Sequence, residues 1–184
     1  MPRKARGDAR YCSGRCRVAA HRAARAGSPV PAELRALSRW VRYSARKVPL
    51  TVAGRAASST APATWATWED VQASSAGVGA GFVLDGDGIV CLDLDHCVSD
   101  GMVAPWAQAV LNQLPRTYVE VSPSGRGLHV WGRADMAAGR VVRVPGGKVE
   151  VYPVGRFVTI TGRPLPGSVS RLGDLSSVVG ELVG

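Results

Sequence analysis

The spacing of apolar residues along the chain changes near residue 77. Before this point, Leu34, Leu37 and Val41 recur at intervals of three and four, which predicts a helix over residues 28–43. The remainder of this part of the chain is predicted to hold an extended segment, a loop of small residues and a short helix that carries two tryptophans, at residues 41–51, 55–64 and 64–77.

After that point, short runs rich in β-branched and aromatic residues alternate with glycine turns, which indicates strands. GFVL and IVCLDLD flank the turn DGDG and predict a β-hairpin over residues 81–95. An amphipathic helix is predicted over residues 102–114, because Trp106, Val110 and Leu114 fall on one of its faces. Further strands are predicted at residues 117–122, 128–133 and, as two or three strands, 141–162. Antiparallel strands with flanking helices indicate an α+β fold.

The positive charge of the chain is concentrated in its first quarter. The net charge is +9, yet residues 1–50 carry +11 and residues 51–184 carry −2. Such a basic segment is typical of contact with a polyanion, most simply nucleic acid. A solvated tail that improves solubility is the alternative interpretation.

The cysteine content and hydropathy of the chain bear on its compartment. Four cysteines in a basic chain without an export signal do not indicate a disulfide framework. No apolar run is long enough for a signal peptide or a membrane span. We therefore expect a cytoplasmic protein with no membrane partner.

Residues 1–27 are predicted to form a basic helical arm, separate from a domain over residues 28–184. The arm contains Cys12, Cys16 and His21, spaced like the second half of a small zinc ribbon. Structural zinc requires four ligands, usually in two pairs, and the first pair is missing. We therefore expect that a zinc site, if one forms, is not complete within this chain.

Asp93 and Asp95 are two positions apart on one predicted strand. Side chains at this spacing project from the same face, about 6–7 Å apart. At an effective dielectric constant of 20, their repulsion is of order 2–3 kcal/mol. One interpretation is a site for divalent cations, which prefer hard oxygen ligands. The alternative is an edge strand with Leu92 and Leu94 facing the core and both aspartates facing solvent.

Three further segments carry side chains suited to phosphate or metal binding. Ser124 and Arg126 lie in a tight glycine-containing turn that leads to His129, which suits phosphate oxygens. Glu150 lies between two valines on a strand and would complete a metal site with the two aspartates. Arg156 begins the strand GRFVTI, where it could contact a triphosphate. Taken singly, each also has a structural explanation: a packed histidine, a surface acid or a charge at the rim.

The order of these segments resembles the archaeo-eukaryotic primase superfamily, specifically the bifunctional primase-polymerase domain of phage, plasmid and prophage replication proteins. The matching motifs are IVCLDLD with its two aspartates, GLH with Gly127 and His129, and VEV with Glu150. The resemblance covers roughly residues 38–165. It is the ordered set of motifs that is specific.

This resemblance implies an RRM-like antiparallel catalytic sheet with flanking helices, packed on a second small α/β subdomain. It implies that Asp93, Asp95 and Glu150 hold two Mg²⁺ or Mn²⁺ ions, with His129 as the fourth catalytic residue. The implied nucleotide-binding residues are Ser124, Arg126, Gly127, His129, Arg156 and Lys47.

The function expected from this resemblance is template-directed primer synthesis or extension from nucleoside triphosphates. The expected partners are a DNA template or primer and nucleoside triphosphates, with a separate helicase or zinc-bearing replication protein as a candidate. Two alternatives belong to other classes: a non-catalytic DNA-binding replication module with a primase-like fold, and a metal-dependent nuclease that uses the same acids.

Overall fold

The computed structural model describes residues 27–184. Its α-helices are Ala32–Arg35 (α1), Trp68–Ala73 (α2), Pro105–Gln113 (α3) and Ser176–Val183 (α4), with a 3₁₀ turn at Pro62–Thr64. Its strands are Trp40–Tyr43 (β1), Pro49–Leu50 (β2), Gly79–Asp85 (β3), Ile89–Leu94 (β4), Val98–Ser99 (β5), Met102–Val103 (β6), Tyr118–Val121 (β7), Leu128–Arg133 (β8), Arg140–Val144 (β9), Gly147–Tyr152 (β10), Val154–Ile160 (β11) and Gly173–Asp174 (β12). Among the described residues, no helix has the length and apolar character needed to cross a membrane.

The strands form two main sheets and a small β5–β6 ribbon. The four-stranded sheet has the order β11-β3-β1-β2, and all of its pairs are antiparallel. The six-stranded sheet has the order β12-β8-β4-β10-β9, with β7 pairing to the same strand β8. Its one parallel pair is β12 with β8. The predicted α+β class is confirmed, whereas the finer RRM-like architecture stays a prediction.

One face of the six-stranded sheet packs against α3 and α4. Leu92 and Leu94 of β4 are fully buried in this cluster, together with Val130 from the neighbouring strand β8. Because side chains alternate along a strand, Asp93 is directed to the opposite face. The apolar positions of β4 therefore determine which face of the sheet carries the acids.

The opposite face packs, over part of its area, against the four-stranded sheet. Trp40 and Phe82 from that sheet meet Trp131 of β8 in a buried aromatic cluster. The ring centroids are 5.1 Å apart for Trp40 and Phe82, and 5.9 Å apart for Phe82 and Trp131, with the rings edge to face in both pairs. Such pairs add about 0.5–1.5 kcal/mol beyond burial, so the aromatic cluster holds the two sheets together.

The predicted helix over residues 28–43 is wrong beyond its first turn. Helix α1 ends at Arg35, and Trp40–Tyr43 form strand β1, which pairs with β3. Leu34 is buried as the helical pattern required, but Val41 is buried from a strand. The strand-forming run Trp-Val-Arg-Tyr and its pairing partner outweigh the helical spacing.

The predicted hairpin over residues 81–95 is also wrong. Strands β3 and β4 belong to different sheets, and each already has a partner on both of its edges. The turn between them carries the chain from one sheet to the other. Its Asp87 accepts hydrogen bonds from both terminal nitrogens of Arg39, at 3.1 and 2.6 Å. This bidentate pair fixes the turn against β1.

Two other parts of the sequence prediction can be compared with the structure. The amphipathic helix predicted over residues 102–114 forms as α3, preceded by the short strand β6. The predicted arm, with Cys12, Cys16 and His21, lies outside the described residues apart from Gly27.

Candidate active site

Four polar side chains form a row across four adjacent strands of the six-stranded sheet. Strand pairing places Glu150 opposite Asp93, Asp93 opposite His129, and His129 opposite Glu120. Directly paired residues on neighbouring strands project from the same face. The row therefore brings together residues that are up to 57 positions apart in the sequence.

Asp93 lies at the centre of this row. Its Oδ1 atom is buried and has no hydrogen-bond partner among residues 27–184, and it lies 3.9 Å from Nε2 of His129. Burial raises the pKa of the Asp93 carboxyl; His129 opposes this shift, and the carboxylates of Asp95 and Glu150 add to it. A buried oxygen with unused acceptor capacity among like charges is suited to a cation.

Glu150 and Asp95 share a lysine. The ammonium of Lys148 is hydrogen-bonded to Glu150 and lies 3.8 Å from Oδ2 of Asp95. The hydroxyl of Tyr152 donates to the other oxygen of Glu150. The Lys148 ammonium therefore lies between two of the three predicted ligands, Asp95 and Glu150. In this arrangement no group of three or more histidine, cysteine or acidic side chains within residues 27–184 is close enough to hold a metal ion.

A cavity of about 360 Å³ opens beside the row. Asp93 and His129 contribute to one wall, while Lys47 and Arg156 contribute cations. The guanidinium of Arg156 stacks 4.3 Å from the centre of the Tyr152 ring. The other lining residues are Pro49, Ser59, Gly155, Phe157, Val158 and Thr159. Asp93 and His129 in the wall, Glu150 next to Asp93 in the row, and the two cations together suit a ligand that carries both phosphate and metal.

Backbone irregularities present both cations to the cavity. Lys47 has a φ of +56°, a left-handed conformation that is uncommon for residues other than glycine. Strand β11 shifts register between Val154 and Arg156, and the intervening Gly155 has a φ of +72°. Such bulges redirect the following side chain and are frequent beside active sites.

The turn at residues 122–127, predicted to bind phosphate, lies apart from the cavity. Three of its backbone N–H groups are used internally: Gly125 donates to the Ser122 carbonyl, Arg126 to Ser124 Oγ, and Gly127 to Ser122 Oγ. Ser124 and Arg126 are exposed and do not line the cavity. The structure thus brings Lys47, Asp93, His129 and Arg156 together, and leaves this turn outside.

Glu120 is a site residue that the sequence analysis missed. It is fully buried, and its carboxylate lies 3.3 Å from Nδ1 of His129. It occurs in the run Tyr-Val-Glu-Val, where an acid interrupts a strand that is otherwise apolar. The same alternation singled out Glu150, so it was a signal for Glu120 as well.

Two comparisons with known proteins bear on this arrangement. The family model for bifunctional DNA primase/polymerase, N-terminal, matches residues 19–173. The chain is also 36% identical over 170 residues to the DNA Primase-polymerase of Nitratiruptor phage NrS-1, a similarity that covers 83% of this chain and 23% of the phage protein. The chain therefore spans less than a quarter of the length of this curated relative. Both comparisons confirm the resemblance inferred from the motifs: the chain belongs to the bifunctional DNA primase/polymerase N-terminal family.

Proposed function

We propose that this chain is a nucleotidyltransferase that synthesises or extends primers from nucleoside triphosphates on a DNA template. The observation that carries the proposal is the row Glu150–Asp93–His129, which borders a cavity that also contains Lys47 and Arg156. The cavity lies within the size range of small-molecule sites, about 300–1,000 Å³. Family membership and the phage relative support the same activity.

The donor chemistry of the site fits Mg²⁺ or Mn²⁺. Asp93, Asp95 and Glu150 supply hard carboxylate oxygens, and in the described part of the chain the buried Oδ1 of Asp93 has no hydrogen-bond partner. Binding two ions would require the Lys148 ammonium to leave its position between Asp95 and Glu150. When bound, such ions would activate a primer hydroxyl and offset the charge that develops on the leaving pyrophosphate.

The residues of the chain itself would bind and orient the triphosphate. Lys47 and Arg156 line the cavity with basic side chains that suit phosphate oxygens, and a guanidinium can contact two such oxygens at once. The Tyr152 ring supports the Arg156 guanidinium from one side. His129 presents Nε2 toward Asp93 and is therefore placed to contact a phosphate near the carboxylates.

A primer-extension assay with the full 184-residue chain tests this proposal. We expect labelled nucleotide to be incorporated opposite a DNA template in Mn²⁺ or Mg²⁺. The double variant Asp93→Asn, Asp95→Asn should reduce incorporation by about 1,000-fold, since the loss of several kcal/mol of charge stabilisation corresponds to that factor. Asp100→Asn is the matched control, because Asp100 is an exposed acid in the β5–β6 turn, outside the cavity.

Cleavage and binding measurements on the same proteins distinguish the alternative functions. Strand cleavage without added triphosphate, lost in the double variant, would indicate a metal-dependent nuclease. DNA binding without metal-dependent nucleotide binding in calorimetry would indicate a non-catalytic module. Incorporation that survives the double substitution would overturn the assignment of these acids.

A further inference from the structure

The buried carboxylate of Glu120 divides its contacts between its two oxygens. Oε2 accepts hydrogen bonds from the Tyr118 hydroxyl at 2.9 Å, from the Thr161 backbone N–H at 3.0 Å and from the Gly162 N–H at 2.9 Å. The single proton of the Thr161 hydroxyl is closer to the Val121 carbonyl, at 2.7 Å, than to Oε2, at 3.1 Å. Oε1 faces Nδ1 of His129 at 3.3 Å. Each oxygen therefore has a separate set of partners.

This division determines which nitrogen of the imidazole donates to Glu120. An ionised carboxylate can only accept hydrogen bonds, so the contact with Oε1 requires a proton on Nδ1 of His129. With Nδ1 engaged by Glu120, the ring cannot rotate freely, and Nε2 is directed to Asp93. A partner behind an active-site imidazole commonly sets its tautomer and orientation in this way.

We propose that Glu120 is a positioning residue for His129, which keeps a proton on Nδ1 and holds Nε2 toward Asp93 and the cavity. The same carboxylate fastens β7 of one sheet to Thr161 and Gly162, which follow β11 of the other. The ring is thus fixed relative to both walls of the cavity. The orientation of the ring follows from these contacts alone, whereas its effect on catalysis rests on the proposed function.

The isosteric substitution Glu120→Gln tests the proposal in the metal-free protein. Three donor groups converge on the Oε2 position, so the amide oxygen of glutamine should occupy it. Its NH₂ group then faces Nδ1 of His129, which must become an acceptor. We therefore expect the ring proton to move from Nδ1 to Nε2. Long-range ¹H–¹⁵N spectra at one fixed pH of about 8.5, where imidazole side chains are ordinarily neutral, distinguish the two forms.

Tyr118→Phe is the matched control for this experiment. It removes one donor from Oε2 but leaves Oε1 and its contact with His129 in place, so Nδ1 should stay protonated. If Glu120→Gln does not fold, Glu120→Asp replaces it, because the shorter carboxylate can stay on the Oε2 donors and withdraw from Nδ1; a mixture of both tautomers is then expected. The same Nδ1 protonation in the wild type and in the Glu120 variant would overturn the proposal.

Kinetics add a second measurement. For Glu120→Gln we expect kcat/KM for nucleotide incorporation to fall by roughly 10–100-fold, as is typical when the partner of a functional histidine is replaced. The nuclear magnetic resonance result needs no turnover, so the two proposals can fail separately. A wild type without incorporation would refute the proposed function and leave the tautomer result standing. An unchanged tautomer in an active enzyme would refute only the role of Glu120.

Discussion

Glu120 and Glu150 have nearly the same local sequence and opposite surroundings. Each lies between two valines on a strand, and each accepts a hydrogen bond from a tyrosine two positions away, Tyr118 and Tyr152 respectively. The two acids stand at the ends of one row across the sheet. Glu120 is completely buried, whereas the side chain of Glu150 is 17% exposed and also contacts Lys148.

The difference arises from what covers each end of the row. The four-stranded sheet reaches over the Glu120 end, where the backbone N–H groups of Thr161 and Gly162 satisfy the carboxylate. At the Glu150 end the neighbouring strand β9 is mostly exposed. An acid that is saturated by backbone donors holds structure in place, while an acid that is paired with a partly exposed lysine can exchange that partner for another cation. The comparison is consistent with the two roles that we propose, positioning for Glu120 and ligand binding for Glu150.

Replacing Glu120 or Glu150 by alanine should give the largest difference in stability between the two ends of the row. Glu120→Ala leaves several buried donors unsatisfied, so we expect the free energy of unfolding to fall by about 3–5 kcal/mol. Glu150→Ala should change it by less than about 1 kcal/mol, because its ion pair is partly exposed, and should abolish incorporation. Urea unfolding and primer extension on both variants measure these effects. Equal losses of stability in the two variants would contradict the comparison.

Removing Lys148, the lysine at the Glu150 end of the row, should favour metal binding. Lys148→Met takes away an ammonium that competes for Asp95 and Glu150, so Mn²⁺ should bind about three- to tenfold more tightly, the fold-change expected for two exposed ion pairs. Calorimetric titration with Mn²⁺ measures the change. Arg143→Met is the matched control, since Arg143 is exposed and pairs with Lys148 across β9 and β10. Weaker Mn²⁺ binding by Lys148→Met would show that the lysine does not compete.

The tyrosine at the Glu120 end of the row, Tyr118, should make the protein less stable at alkaline pH. Burial raises the pKa of Tyr118 above the ordinary value of 10.0, and the charge and hydrogen bond of Glu120 raise it further. The folded state therefore keeps the proton of the Tyr118 hydroxyl at pH values where the unfolded state loses it. The stabilising contribution of this hydroxyl declines as the pH rises above about 10. Relative to Tyr118→Phe, the wild type should lose up to about 1.4 kcal/mol per pH unit. Urea unfolding from about pH 9 to 11 tests this slope; parallel curves would contradict it.

Replacing Tyr152, the tyrosine at the Glu150 end of the row, should have the smallest effect on stability. Tyr152→Phe keeps the ring beneath Arg156 and removes a hydroxyl that is only half-buried. We expect the free energy of unfolding at neutral pH to change by less than about 0.5 kcal/mol. The matched Tyr118→Phe, which removes a buried hydrogen bond, should cost about 1–2 kcal/mol. A larger loss of stability for Tyr152→Phe than for Tyr118→Phe, in thermal or urea unfolding, would contradict this comparison.

Much of the row could be predicted because alternation along a strand is a local property. Leu92 and Leu94 require the core, so Asp93 must face away from it, and the structure confirms this. The same reasoning separated Glu150 from Val149 and Val151, which are buried. The assignment of these acids as metal ligands stays a prediction.

Strand partners, by contrast, are set by contacts between distant residues. The turn at residues 85–88 has the composition of a hairpin turn, yet it connects strands of different sheets, because β3 and β4 each find partners elsewhere along the chain. Glu120 was missed for a similar reason: its significance depends on His129, Thr161 and Gly162, which are near it only in the folded chain. Local pattern gives the direction of a side chain, and pairing gives its neighbours.

A single buried proline, Pro153, separates β10 from β11. Glu150, which lies beside the cavity, and Arg156, which lines it, therefore belong to one short, continuous stretch of backbone that crosses from sheet to sheet. Any engineered insertion at this crossing would change the distance between carboxylate and guanidinium directly. The exposed turn at Asp100 and Gly101 has no such link, and is the better place to attach a fluorophore or a fused domain.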